Sequence, residues 1–261
     1  ILLLSVCYGT TINVPADSTT IQAGINGAGE GDTVLVSAGT YVENIVWPLT
    51  NGIKLIGSGE QDCIIDGGGI DSSASVIRFG QELDGIIDST TLITGFTIQN
   101  GYALAAATGG GGMFLYDANP TLTDVIFSGN MADPYGGAMY LDNSNPTLNH
   151  VTISGNIFGN GFNGIFFSDS SVFTMTNSIL WPDGWGSSPY NSYILPTINY
   201  SNISDFLWGG VMVGEGNINL DPLFCDPENG NFTLAENSPC LNAGQDGANM
   251  GALGVGDCGE L

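Results

Sequence analysis

The sequence repeats itself with a period of just under thirty residues. Copies of one Thr-rich segment begin at Thr91, Thr121, Thr147 and Thr174, at intervals of 30, 26 and 27 residues. Periods of about 20 to 50 residues are typical of proteins that stack one small structural unit on the next. Such a chain forms an elongated solenoid, because each unit contacts only its neighbours.

Each copy reads as short strands. In 121–130 and 147–156, apolar side chains recur at alternate positions and Gly, Asn or Asp ends the run. A period of two is typical of β-strands, and helical periodicity is absent from these copies. Coils stacked about 4.8 Å apart pair through their backbones as parallel strands. The predicted fold class is therefore all-β, a parallel β-helix.

One helix is predicted near the start of the chain. Thr19 to Gln22 form a capping box, and Ile21, Ile25 and Ala28 lie on one helical face. A helix here would cover the open end of the first coil. The predicted organisation is an apolar leader at 1–9, a cap at 10–30, β-helix coils at 31–215 and a closing segment at 216–261.

The leader and the cysteines favour an oxidising compartment. Residues 1–9 are apolar but too short to span a bilayer, which suits the remnant of a secretory signal or, alternatively, a first β-strand. Cys63, Cys225, Cys240 and Cys258 follow it, an even number that suits disulfides. Cys225 and Cys240 flank a short segment and are the predicted pair.

The charge excludes several partners. The chain has 26 acidic and two basic residues, a net charge of -24. With Lys54 and Arg78 as the cations, no basic surface exists for nucleic acid or an acidic membrane. Both cations lie in alternating strand patterns, where an outward structural position is expected. A field of this sign also repels polyuronates unless a divalent metal intervenes.

Several segments resemble known β-helix proteins. The start of right-handed parallel β-helix proteins of the pectate-lyase-like superfamily resembles 19–25, 31–36 and 39–43. Repeats of polymorphic outer-membrane adhesins resemble 128–130 and 136–139. The closing segment of large secreted, C-terminally anchored bacterial β-helix proteins resembles 221–224, 229–232 and 238–244. The resemblance implies a right-handed coil and a secreted bacterial protein, extracellular or at the cell surface. It does not select an activity, since this fold hosts lyases, hydrolases, esterases and adhesins.

No catalytic residue is predicted. Hydrolysis of neutral glycans needs two carboxylates, and Asp62 with Asp66 or Asp183 with Asp205 are the pairs considered, but the Asp-pair, His and Arg-x-Lys pattern of polygalacturonase-like proteins is absent. His150 is the single histidine of the chain, and no nucleophile elbow precedes a helix.

Two sets of residues are candidate binding sites. Asp117, Asn143 and Asp169 fall in one column of the repeat, where oxygen ligands would suit Ca²⁺, the one cofactor considered; a solvated turn is the alternative. Trp181, Trp185 and Trp208 belong to an aromatic-rich insertion. Exposed, these rings would stack on sugars; buried, which is favoured, they would pad the last coils.

A further column has an internal role. Asn100, Asn130 and Asn156 follow one another at the end of a strand in successive copies. Asn accepts left-handed backbone and its amide can bond the next coil. This column predicts a hydrogen-bonded ladder inside the solenoid.

These patterns lead to competing functions. The leading hypothesis is a non-enzymatic structural or adhesive protein of the cell surface, forming a homo-oligomer or filament. The alternative is a polysaccharide-active enzyme or glycan-binding module with a groove on one solenoid face. Ice binding by outward columns that include Thr121 and Thr147 is a third, weakened because regular Thr-x-Thr ladders are not visible in the sequence.

Overall fold

The chain forms a parallel β-solenoid of about six turns, consistent with a right-handed coil. The prediction of an all-β solenoid is therefore confirmed. The computed structural model describes 9–80, 87–104, 109–133, 135–158, 164–168, 170–183, 185–187, 195–204 and 214–261, with backbone alone at 158 and 185–187. Most of the leader, Asp169, Asp205 and Trp208 lie outside these residues.

One long sheet runs the length of the solenoid. Its eight successive parallel strands are β1 (Thr11–Val14), β2 (Thr33–Val36), β5 (Lys54–Gly57), β8 (Leu92–Gln99), β11 (Thr121–Ser128), β14 (Thr147–Ile153), β17 (Thr174–Thr176) and β20 (Thr197–Asn199). Four further strands pair with this sheet, namely β3 (Gly39–Val42), β6 (Cys63–Asp66), β18 (Ile179–Leu180) and β21 (Asn202–Ile203).

Two shorter parallel sheets, of six and three strands, form other sides of the solenoid. The first contains β4 (Ile45–Trp47), β7 (Ile77–Phe79), β10 (Met113–Tyr116), β13 (Met139–Asp142), β16 (Ile165–Phe167) and β19 (Trp185–Ser187). The second contains β9 (Tyr102–Ala103), β12 (Met131–Ala132) and β15 (Ile157–Phe158). Side chains that point inward from the long sheet and from the first of the shorter sheets form one apolar core along the axis, with Phe96, Phe127 and Phe167 among its largest members.

A bend divides the long sheet into two arms. At this bend Asp124 and His150 have φ of 51° and 52°, and Asn177 and Tyr200 continue the same column with φ of 51° and 48°. We call the residues before the bend the first arm and those after it the second arm. In β11, for example, Thr121 to Thr123 belong to the first arm.

The predicted N-terminal helix is present. Helix α1 (Ile21–Gly27) buries Ile21 and Ile25 against the first coil, as its pattern indicates. The cap is one residue later than the capping box suggests, because the Thr20 hydroxyl accepts from the amide of Ala23. The Glu43 carboxylate of the coil accepts from the amides of Ile21 and Gln22, 2.9 Å each, which ties the helix start to the solenoid.

The C-terminal part packs against the side of the solenoid. Residues 214–220 follow the last coil, where the amide of Ile203 donates to the carbonyl of Ile218. Beyond them, the antiparallel hairpin of β22 (Phe224–Asp226) and β23 (Asn231–Leu234) and the following residues cover the second arms. Their buried cluster includes the outward side chains of Ile126 and Ile179. Among the described residues, no helix has the length and apolar character needed to cross a membrane.

Candidate functional site

A ladder of buried amides holds one corner of the solenoid. The side-chain amide of Asn130 donates to that of Asn156 at 3.0 Å and to the carbonyl of Ile98 at 2.9 Å, and its own oxygen accepts from the amide of Gly101. The prediction of an internal ladder is confirmed for Asn130 and Asn156. It is wrong for Asn100, which lies one position earlier in the register and whose exposed amide donates to Asp66.

The ladder ends on a carboxylate. Asp183 is 1% exposed and accepts from the backbone and side-chain amides of Asn156 at 2.9 and 2.7 Å. Burial disfavours the charged form and raises the pKa of Asp183 to about 6, although the hydrogen bonds from Asn156 act in the opposite direction. The partner considered from the sequence, Asp205, lies outside the described residues.

A cleft of about 690 Å³ lies directly over this corner. Its floor consists of three successive rungs that present Ser128 with Gly129, Ser154 with Gly155, and Trp181 with Pro182. Gly129 and Gly155 have φ of 62° and 71°, the left-handed region that favours glycine. The two glycines therefore make the turn at this corner and leave the floor without side chains at these points.

The C-terminal hairpin forms the wall of the cleft. Phe224 and Phe232 pack edge to face with ring centroids 5.4 Å apart and are 8% and 3% exposed. Asp221 and Glu228 are exposed on the same wall. Trp181 is half-buried against the hairpin and has its remaining surface in the cleft. The cleft thus combines aromatic surface with carboxylate acceptors.

A second cleft of about 320 Å³ continues along the same side of the solenoid. It shares Ser128 and Gly230 with the first cleft and extends past Thr97 to Ile64 and Glu60. Burial raises the pKa of the Glu60 carboxyl. We call the two clefts together the lateral groove; it passes over five rungs, about 19 Å at about 4.8 Å per rung.

The structure tests only part of the predicted aromatic site. Trp181 lies in the lateral groove and is partly exposed. Trp185 belongs to β19, but its side chain is outside the described part of the structure, as is all of Trp208. Stacking on sugars therefore stays a prediction. The wall residues Phe224 and Phe232 were not predicted, although both belong to the closing-segment motifs that the sequence shows.

The predicted calcium column also stays a prediction. The register places Asp117 beside Asn143, and the Asn143 amide donates to the Asp117 carboxylate. Asp169 is not described; Ser170, with φ of 66°, adopts the left-handed backbone in that turn. Within the described ranges, no three His, Cys, Asp or Glu side chains form a metal-binding cluster.

The predicted disulfide is wrong. Cys225 is bonded to Cys258, with their Cα atoms 5.6 Å apart, and Cys240 is a free, buried thiol like Cys63. The Cys240 sulfur instead accepts from the Asn202 amide at 3.1 Å, inside the buried cluster between the C-terminal part and the second arms. The short sequence separation of Cys225 and Cys240 misleads because Cys225 lies half-buried on β22 of the hairpin, whereas Cys240 lies in the buried cluster.

The two cations have the structural positions expected of them. Lys54 is exposed on β5, and Arg78 lies 4.7 Å from the ring centroid of Phe114 on the outer side of the neighbouring strand. A guanidinium over an aromatic face is stabilised by the ring quadrupole. Neither residue lines the lateral groove.

Comparison with known proteins gives the family. No curated protein matches the sequence. Solved structures that resemble it are pectin methylesterases. PemA from Erwinia chrysanthemi is 13% identical with a TM-score of 0.36, and the alignment covers 78% of this chain and 68% of that chain. The enzyme from carrot is 13% identical with a TM-score of 0.37 and coverages of 83% and 90%, and that from Aspergillus niger is 18% identical with a TM-score of 0.35 and coverages of 77% and 67%. At these values the similarity bears on neither activity nor substrate. Residues 24–184, more than half of the chain, match the family described as "Right handed beta helix region", and the chain therefore belongs to the right-handed β-helix family.

Proposed function

We propose that the protein is an extracellular β-helix module that binds an uncharged glycan in its lateral groove and has an adhesive or structural role at a cell surface. The observation that carries the proposal is the partly exposed Trp181 in a cleft whose wall bears Asp221 and Glu228. Aromatic faces bind the apolar faces of sugar rings, and carboxylates accept hydrogen bonds from their hydroxyl groups.

The shape of the groove supports a chain-like ligand. It is open along about 19 Å of the solenoid, so that several sugar units have contact with successive rungs. Both its floor and its wall are held in place. The ladder of Asn130 and Asn156 holds the floor, and the Cys225–Cys258 disulfide ties the hairpin that forms the wall to the C-terminal residues. A preformed site loses little entropy on binding.

The charge of the protein supports an uncharged ligand. The groove carries Glu60, Asp221 and Glu228, and the whole chain has a net charge of -24. Polyuronates would meet a repulsive field here, whereas neutral glycans would not. A disulfide is compatible with an extracellular location, which is where such a ligand and an adhesive role would be found. Assembly into filaments stays a prediction.

Affinity electrophoresis tests the proposal. Wild-type protein is run through gels that contain xylan, glucomannan, hydroxyethylcellulose or polygalacturonate. We expect retardation by at least one neutral polysaccharide and none by polygalacturonate. Trp181→Ala should abolish the retardation, and Tyr116→Ala, which removes a 37% exposed ring on another sheet, should leave it unchanged.

Three results would contradict the proposal. They are free migration in every neutral gel, equal retardation of wild-type protein and Trp181→Ala, and the release of reducing ends from the retarding polysaccharide. The last result would assign an enzymatic role to the groove.

A further inference from the structure

Two columns of small polar side chains run along the outside of the first arms. The strand register places Thr121, Thr147, Thr174 and Thr197 in one column and Thr123, Asn149, Thr176 and Asn199 in the other. All eight are exposed or half-exposed, and the residues between them, such as Leu122 and Leu148, are fully buried. We call these eight residues the threonine face.

The threonine face is a two-dimensional array. Neighbouring rungs are about 4.8 Å apart, and residues two apart on a strand are separated by about 6.6 Å. The pairing from β11 through β14 and β17 to β20 has no register shift in this arm. Hydroxyl, methyl and amide groups therefore recur at nearly constant intervals in both directions.

In the first column, which begins at Thr121, three hydroxyl groups are free and the Thr121 hydroxyl donates to the carbonyl of Ser89 at 2.9 Å, whereas part of the second column is held. The hydroxyl groups of Thr147, Thr174 and Thr197 make no hydrogen bond to any described residue. The amide oxygens of Asn149 and Asn199 accept from the Asn177 side chain and the Glu215 backbone, at 3.3 and 3.0 Å. These bonds fix the edge of the face next to the bend.

The charge of the face specifies an uncharged partner. It contains no acidic residue, although the chain has 26 of them. It also contains no aromatic ring, unlike the lateral groove, so it lacks the usual platform for stacking a sugar. The C-terminal hairpin covers the second arms and leaves these first arms open.

We propose that the threonine face binds the surface of ice. An ice surface is a rigid, uncharged lattice of hydrogen-bond donors and acceptors, and a repeating array of free hydroxyl groups on a fixed backbone is complementary to it. Threonine methyl groups between the hydroxyl groups order the remaining water at the contact. This activity is separate from the glycan binding proposed for the lateral groove, because the two surfaces lie on different arms of the sheet.

Ice-affinity partition and thermal hysteresis test the proposal. In the partition assay, the 261-residue protein should enter a growing polycrystalline ice phase. In the hysteresis assay, it should lower the freezing temperature of ice below its melting temperature. Thr147→Lys and Thr174→Lys place a long, charged side chain in the middle of the array and should abolish both effects. Val46→Lys adds the same charge at a 59% exposed strand position of another sheet and should retain both.

Circular dichroism of each variant checks that the fold is kept. Thr147→Val, which removes a hydroxyl without changing the volume, serves as a second variant and should lose part of the ice partition and of the thermal hysteresis. Exclusion of the wild-type protein from ice would overturn the proposal, as would full hysteresis in Thr147→Lys. Retention of the wild-type protein by crystalline cellulose, lost in Thr147→Lys, together with exclusion from ice, would overturn it and assign the face to a glycan.

Discussion

The side-chain amide of Asn156 donates a hydrogen bond of 2.7 Å to the carboxylate of Asp183, and both side chains are buried beneath the floor of the lateral groove. A single proton on Asp183 therefore bears on the stability of the corner that forms the groove. Because burial raises its pKa from 3.8 to about 6, the folded protein binds this proton more tightly than the unfolded chain.

The first prediction concerns pH. The stabilisation from protonated Asp183 is fully present below pH 3.8 and is lost as the pH rises through about 6, which corresponds to about 3 kcal/mol. Asp183→Asn keeps an acceptor for Asn156 and removes the charge, so at pH 8 it should raise the free energy of unfolding by about 1–3 kcal/mol. Urea unfolding at several pH values measures this. Equal stability of wild-type protein and Asp183→Asn at pH 8 would contradict it.

The second prediction concerns the amide ladder. Asn130→Ala leaves the amide of Gly101 and the carbonyl of Ile98 without their hydrogen-bond partner in the interior. We expect each unpaired group to lower the free energy of unfolding by about 1–3 kcal/mol. The control is Asn100→Gly, which keeps the left-handed backbone and removes one exposed hydrogen bond to Asp66. It should lower the free energy of unfolding by less than about 1 kcal/mol. Thermal unfolding compares the two variants. An equal loss of stability would show that the ladder has no special role.

The third prediction concerns the disulfide. Peptide mapping without reductant should recover Cys225 linked to Cys258, and thiol labelling after denaturation should modify Cys63 and Cys240. The bond closes a segment with a sequence separation of 33 residues, so its loss should destabilise the hairpin by about 3–4 kcal/mol. Hydrogen exchange of β22 and β23 with and without reductant measures this loss. A Cys225–Cys240 peptide would refute the assignment.

The fourth prediction concerns the N-terminal cap. Glu43→Ala removes the acceptor of two amides at the start of α1, which should cost about 1–2 kcal/mol. Glu30→Ala removes an exposed carboxylate outside this contact and should change stability by less than about 0.5 kcal/mol. Chemical denaturation separates the two. A similar effect of both substitutions would mean that the contact of Glu43 with the helix is not stabilising.

The repeat predicts the solenoid because its physical cause is local. Apolar alternation in 121–130 and 147–156 places one set of side chains inside, and stacking equivalent positions gives the strand register directly. The ladder of Asn130 and Asn156 follows from the same alignment. It fails at Asn100 because one residue in that turn, Gly101, takes the ladder position instead.

The lateral groove is not predictable in the same way. Its floor comes from the repeat, but its wall is the hairpin at 224–234. This hairpin and the residues that follow it pack there through contacts distant in sequence, such as the bond from the Ala252 amide to the Thr152 hydroxyl. The threonine face is only partly visible in the sequence, where Thr121 and Thr147 indicate one outward column. The interval from Thr174 to Thr197 is 23 residues, shorter than the preceding one of 27, and Asn replaces Thr at Asn149.

Amide NMR of the labelled protein, titrated with a neutral oligosaccharide such as xylohexaose, mannohexaose or cellohexaose, tests the central claim most directly. Glycan binding in the lateral groove predicts saturable chemical-shift changes of the Gly129 and Gly155 amides on the floor and of the Trp181 indole. The amides of the threonine face should show no chemical-shift change. Shifts that instead centre on Thr147 and Thr174, or none with any of the three sugars at millimolar concentration, would contradict it.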